Sequence, residues 1–164
     1  NKCITIYFYW LYTYYTRCIT LKISTKGRYA LRLMIYIAAN SNGKPVSIKD
    51  VAKNEDISDK YLEQIISILN SGGLVRSVRG PQGGYLLRKA PEDITVGAVL
   101  RLTEGTLAPV ACVEEDAPEC ERESICSTYN LWKRLYSAIC SVVDTTTIAD
   151  LCNSRPEAGD EYCI

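Results

Sequence analysis

The sequence predicts a mainly α fold with one small β hairpin. Three observations carry that prediction. Apolar residues recur at three- and four-residue steps in successive stretches from Lys26 onward, two short β-prone runs flank a Gly- and Pro-rich reversal at residues 79–84, and a long apolar stripe runs from Leu131 to Val143.

The first 21 residues stand apart. Seven aromatic residues crowd between Tyr7 and Tyr15 with no clean period, and the charged start, aliphatic block and small-residue cleavage site of a secretory signal are missing. Residues 1–21 are expected to be a non-native leader, translated from upstream of the true start, with Leu21 where a non-AUG codon would be read as Met. The alternative is an aromatic arm that lies on a membrane surface or binds a partner.

Residues 26–40 place Tyr29, Leu33, Tyr36 and Ile37 on one helical face, and Ser41-Asn42-Gly43 ends the helix. Ser47 caps a short helix through Val51 and Ala52 to about Lys53, and Asn54 to Ile57 make a turn. Ser58 or Asp59 then caps a third helix, in which Tyr61, Leu62, Ile65, Ile66 and Leu69 recur at helical spacing until Gly72-Gly73. Two short helices across a polar turn form a helix-turn-helix. Leu74 to Val78 and Tyr85 to Leu87 read as two strands. The Arg79-Gly80-Pro81-Gln82-Gly83-Gly84 segment between them can reverse sharply and bring backbone amides close to a phosphate. The expected architecture is therefore a winged helix-turn-helix domain at 22–90.

Zero net charge hides an asymmetry. Residues 22–90 hold twelve Lys or Arg against five Asp or Glu, whereas residues 91–164 hold five against fourteen. A +7 half joined to a −9 half suggests a polyanion-binding module attached to something with another task. The chain has no His, which excludes Ser-His-Asp triads, Cys-His dyads and His-containing zinc sites. No enzymatic activity is expected.

KISTKGRYALRLM (22–34), DKYLEQIISILNSGGLV (59–75), VRGPQGGYLL (78–87) and three Cys beyond them resemble the family of bacterial winged-helix transcription regulators that includes the iron-sulfur cluster regulator IscR and the cysteine metabolism repressor CymR. The resemblance covers about Leu21 to Leu151. It implies that the third helix enters a major groove of double-stranded operator DNA through Ser58, Lys60, Tyr61, Glu63 and Gln64. It also implies that Arg79, Gly80 and Pro81 approach the neighbouring minor groove. The chemistry suits those roles: Gln64 can pair with an adenine edge, Glu63 can accept from a cytosine amine, and Lys60 can reach guanine or phosphate. Tyr61 has two readings, a base-facing ring or a ring packed in the core with only its hydroxyl near a phosphate. Lys26 and Arg28 are candidates for phosphate contacts.

A linking helix (91–110, with Thr95 as cap and Glu104-Gly105 as its end) leads to a loop at 111–127 that holds Cys112, Cys120 and Cys126, spaced C-x7-C-x5-C. Three Cys in a carboxylate-rich loop point to metal or redox chemistry rather than packing. The resemblance implies an iron-sulfur cluster on these thiols, 2Fe-2S ahead of 4Fe-4S. Two departures bear on it. Tyr129 stands where the family has a His ligand, and Arg28 stands where nitric-oxide-sensing relatives have an Asp ligand. The fourth ligand is left open among Tyr129, a loop carboxylate, another Cys, a partner-subunit residue and a small molecule. Redox-active thiols or zinc are the alternatives to a cluster. Cys140 and Cys152 read as small buried hydrophobes.

Leu131, Trp132, Leu135, Ile139, Val142 and Val143 make a helix with more apolar surface than one small domain needs. In the family this helix forms the homodimer, so 128–152 reads as a dimerisation helix plus a short helix capped by Thr147. Residues 153–164 read as a flexible tail. EGTLAPV (104–110), DTTTIADL (144–151) and the terminal Ile164 look more like the CymR branch, which implies a cytoplasmic regulator of sulfur metabolism that needs no cluster and pairs with cysteine synthase through a C-terminal Ile.

Overall fold

The computed structural model describes residues 22–118, 120 and 122–154. The expected leader, the end of the tail and Ile164 lie outside the described residues. In order, the elements are α1 (Thr25–Asn40), α2 (Ile48–Glu55), α3 (Asp59–Ser71), β1 (Val75–Val78), β2 (Gly84–Leu87), α4 (Val96–Glu104), α5 (Tyr129–Val143) and α6 (Ile148–Asn153), with single 3-10 turns at Pro91–Asp93, Ala111–Val113 and Glu123–Ile125. The expected mainly α fold with a β wing is what forms. Two compact units result, one of residues 23–107 with 137–154, the other of Lys22 with residues 108–136.

The larger unit is the winged helix. Ser24 caps α1 by accepting from the Gly27 amide at 3.3 Å, and its own hydroxyl donates to Glu104 of α4 at 2.7 Å. Gly27 is buried where α1 meets α4, and a Cβ there would collide with Glu104 and crowd Ile23 and Leu100. Ala30, Leu33, Met34 and Ile37 of α1 meet Leu62, Ile65 and Leu69 of α3, with Val51, Val75, Ile94, Val99 and Ile148 completing the core. The 3.6-residue spacing in the sequence is therefore the core itself.

Ser47 caps α2 by accepting from the Asp50 amide. This helix runs to Glu55, two residues beyond the expected end. Asp56 stops it by adopting a left-handed conformation (φ 52°, ψ 49°), which shortens the turn before α3. The hairpin is antiparallel and pairs Val75 with Leu87 through to Val78 with Gly84. Val46 donates to and accepts from Tyr85 across β2, at 3.0 and 2.8 Å, so the wing is tied to the segment that enters α2. Thr147 and Asp150 form a reciprocal capping box at α6, and Ile148 is fully buried.

Cys140 and Cys152 depart from the expectation of burial, since both are half-exposed. Cys140 lies against the Arg101 guanidinium (Nη2 to Sγ 3.6 Å), which also pairs with Asp144, and Cys152 sits at the core edge near the Ile35 carbonyl. A guanidinium that keeps water contact brings its neighbour to the surface with it.

The smaller unit has no comparable core. Among its described residues only Ala108 and Pro109 are buried, and its local order comes from the two 3-10 turns and the start of α5.

Candidate functional site

On α3, Lys60, Glu63, Gln64 and Ser67 are exposed and recur at three- and four-residue steps. They form a polar face opposite Leu62, Ile65, Ile66 and Leu69. Ser58, one of the two residues expected to cap α3, occupies the N-cap position with an extended backbone, but its side chain makes no capping bond. Its exposed hydroxyl faces solvent. Tyr61 is half-buried, with its ring edge-on to Tyr29 at 5.9 Å and 79°. Its ring packs at the margin of the core. On α1, Arg28 is exposed and Lys26 half-buried.

The wing tip presents Arg79, Gly80 and Pro81, all exposed. Gly80 adopts φ 125°, a region closed to residues with a Cβ, and its carbonyl accepts from the Gly83 amide at 2.9 Å to close the reversal. Gly84 passes so close to the Val46 carbonyl that a Cβ would collide with it.

Sequence reasoning missed how α1 holds the helix-turn-helix. Arg32 donates from Nε to the Glu55 carboxylate at 2.7 Å and from Nη2 to the Glu55 carbonyl at 2.6 Å. Its guanidinium also lies 5.5 Å from the centre of the Tyr29 ring. One turn further along α1, the Tyr36 hydroxyl accepts from Asn54 at 2.9 Å, and the same amide donates to the Asp50 carbonyl. The only hint in the sequence is that Tyr29, Arg32 and Tyr36 fall on one stripe of α1.

In the smaller unit Cys112, Cys120 and Cys126 are all half-exposed free thiols. The Cys126 thiol is held below its usual pKa, first by the Thr128 hydroxyl at 3.5 Å, then by the Thr128 and Tyr129 backbone at the start of α5 and by Arg122. These donors favour the thiolate. The Tyr129 phenol is pushed up, first by desolvation, then by the charge and hydrogen bond of Glu123 and by the nearby Cys112 and Cys120. These surroundings favour the neutral phenol. Among the described residues no three Cys, Asp or Glu side chains stand together as a metal-holding group. The thiols suit iron in kind, as soft donors, but their arrangement does not fit a preformed cluster site.

No residue of α5 is fully buried. Leu131 and Val142 are 55% and 63% exposed and Trp132, Leu135, Ile139 and Val143 half-buried, so its apolar stripe is only partly covered. Among the described residues no helix is long and apolar enough to cross a membrane.

A helix-turn-helix with a polar outer face, followed by a Gly-rich two-stranded wing, defines a winged-helix transcription regulator. The chain belongs to the Rrf2 family, described as iron-dependent transcriptional regulators, which it matches over residues 23–154. It is 42% identical to the HTH-type transcriptional regulator CymR of Bacillus subtilis over 142 residues, 87% of this chain and 97% of that one. It is 38% identical to the HTH-type transcriptional regulator IscR of Yersinia pseudotuberculosis over 135 residues, 82% of this chain and 81% of that one. The solved structure of CymR, the global cysteine regulator of B. subtilis, superposes with a TM-score of 0.68 over 82% of this chain and 98% of that chain.

Proposed function

We propose that this regulator binds operator DNA as a cytoplasmic homodimer and senses through its Cys loop. In this reading α3 lies in a major groove, with Lys60, Glu63 and Gln64 at base edges and Ser58 and the Tyr61 hydroxyl at the backbone. Arg79, Gly80 and Pro81 reach a minor groove, and Lys26 and Arg28 serve phosphates. The observation that carries it is the exposed polar stripe of α3 standing on a fully buried core face. The partly covered apolar stripe of α5 supports dimerisation, which would set two α3 helices at successive half-sites about 34 Å apart. Changing Lys60 and Gln64 together to Ala should abolish preference for a duplex selected by the wild-type protein while the fold persists. Undiminished preference would refute the reading.

For the sensor, Cys112, Cys120 and Cys126 are proposed as ligands of an iron-sulfur cluster, 2Fe-2S ahead of 4Fe-4S, around which the loop would have to close. When bound, the group supplies a redox- and iron-dependent restraint on the loop. The second reading, a CymR-like regulator of sulfur metabolism acting through thiol oxidation or a cysteine synthase partner, is supported by the 42% identity to CymR of B. subtilis. An absorption spectrum with iron and sulfide analysis of protein purified without oxygen decides between them. Visible bands lost when all three Cys become Ala support the cluster. Colourless, iron-free protein that still binds DNA supports the second reading.

A further inference from the structure

We infer that Arg32 is a positioning residue for DNA recognition, acting through Glu55 and Tyr29 to fix the angle at which α3 is presented. The inference rests on the reading of α3 as the recognition helix. Arg32 is one of twelve basic residues in a half with surplus positive charge, and its side chain is 45% exposed, so by charge and exposure it would pass for a phosphate contact. Its donors are directed inward instead. Nε and Nη2 together grip the carboxylate and the carbonyl of Glu55, the last residue of α2, whose side chain is only 12% exposed. That carbonyl belongs to the set a helix C-terminus leaves without a partner in its own helix, so Arg32 supplies the missing donor.

The same guanidinium stands 5.5 Å from the Tyr29 ring, and Tyr29 meets the edge of Tyr61 in the first turn of α3. Both helices of the motif are therefore referenced to one side chain of α1. Asn54, bonded to Tyr36 one turn away, makes a second point of attachment for α2. Two fixed points on α2 and an aromatic contact on α3 define the angle between the helices. The left-handed residue Asp56 between them provides a corner that could open if the grip were lost. Lys cannot reproduce the grip, because its single ammonium lacks the planar fork that reaches a carboxylate and a carbonyl at once.

The test uses full-length protein and a duplex selected from a random library by the wild-type chain, with a scrambled duplex of the same length as reference. Arg32→Lys and Glu55→Gln should each lower the selected-to-scrambled affinity ratio by about three- to thirtyfold. The dependence of affinity on salt should stay at the wild-type slope. The double variant should lose little more than either single one. Ile148→Val, a conservative core change carried on α6 rather than on α2 or α3, should leave the ratio unchanged and so separates positioning from general loss of stability. Two results overturn the inference. One is an Arg32→Lys protein with the wild-type ratio. The other is an Arg32→Ala protein whose salt slope falls by about 0.9, the signature of one lost phosphate contact, while Glu55→Gln binds more tightly. Failure of the α3 reading itself would show separately, as a Lys60/Gln64 double variant with undiminished preference.

Discussion

The winged-helix unit and the Cys-loop unit are built on opposite principles. The first buries Leu33, Met34, Leu62, Ile65 and Leu69 completely and closes its helix ends with Ser24, Ser47, Thr95 and Thr147. The second buries only Ala108 and Pro109 among its described residues and leaves all three thiols half-exposed. A densely packed unit holds one conformation, because any shift would open cavities among close-packed side chains. A loop held by local turns has little to lose by rearranging, and low-stability segments of this kind are where ligands shift equilibria. The polar face of α3 is thus preformed on a packed core, whereas the three thiols lie in a segment that can rearrange at small cost.

The largest expected effect tests that contrast directly. Leu62→Ala should cost about 2–5 kcal/mol in denaturant unfolding, through lost burial and a residual cavity. Ile125→Ser, at a side chain 75% exposed in the smaller unit, should change stability by less than about 0.5 kcal/mol. Equal costs would end the distinction. Gly84→Ala should cost about 1–3 kcal/mol, because its Cβ meets the Val46 carbonyl, and the loss should appear as faster amide exchange at Tyr85. Thr95→Ala removes the cap on the Ala98 amide and should lower stability by about 1 kcal/mol.

Smaller effects concern titration. Asp150 is held below its usual range by the Thr147 backbone amide, then by the Thr147 hydroxyl. The stability it lends is therefore present above the unfolded carboxylate value of about 3.9 and is lost as pH falls through the lower folded value. Thr147→Val should move the Asp150 carboxyl titration upward in NMR. In iron-free protein, Thr128→Val should raise the pH at which iodoacetamide modifies Cys126, since the hydroxyl is the main donor to that sulfur. An unchanged alkylation profile would remove the hydroxyl from the account.

Much of this molecule is legible in the chain. Ser47, Thr95 and Thr147 cap the helices that their positions predict, the α3 apolar spacing becomes the core, and the Gly-Pro reversal becomes the wing tip. Ser58 shows the limit, because a cap residue must also bring its hydroxyl to an amide, and here it does not. Cys140 shows another, since Arg101, 39 positions away, decides its surroundings. Periodicity and capping are local rules, so the sequence by itself determined the element order, the buried stripes and the family. Which polar groups meet across 23 residues, as Arg32 and Glu55 do, and whether three thiols converge depend on how packed helices place distant backbone. Only the tertiary structure decided those, because directional hydrogen bonds act over about 3 Å and no spacing in the chain encodes that proximity.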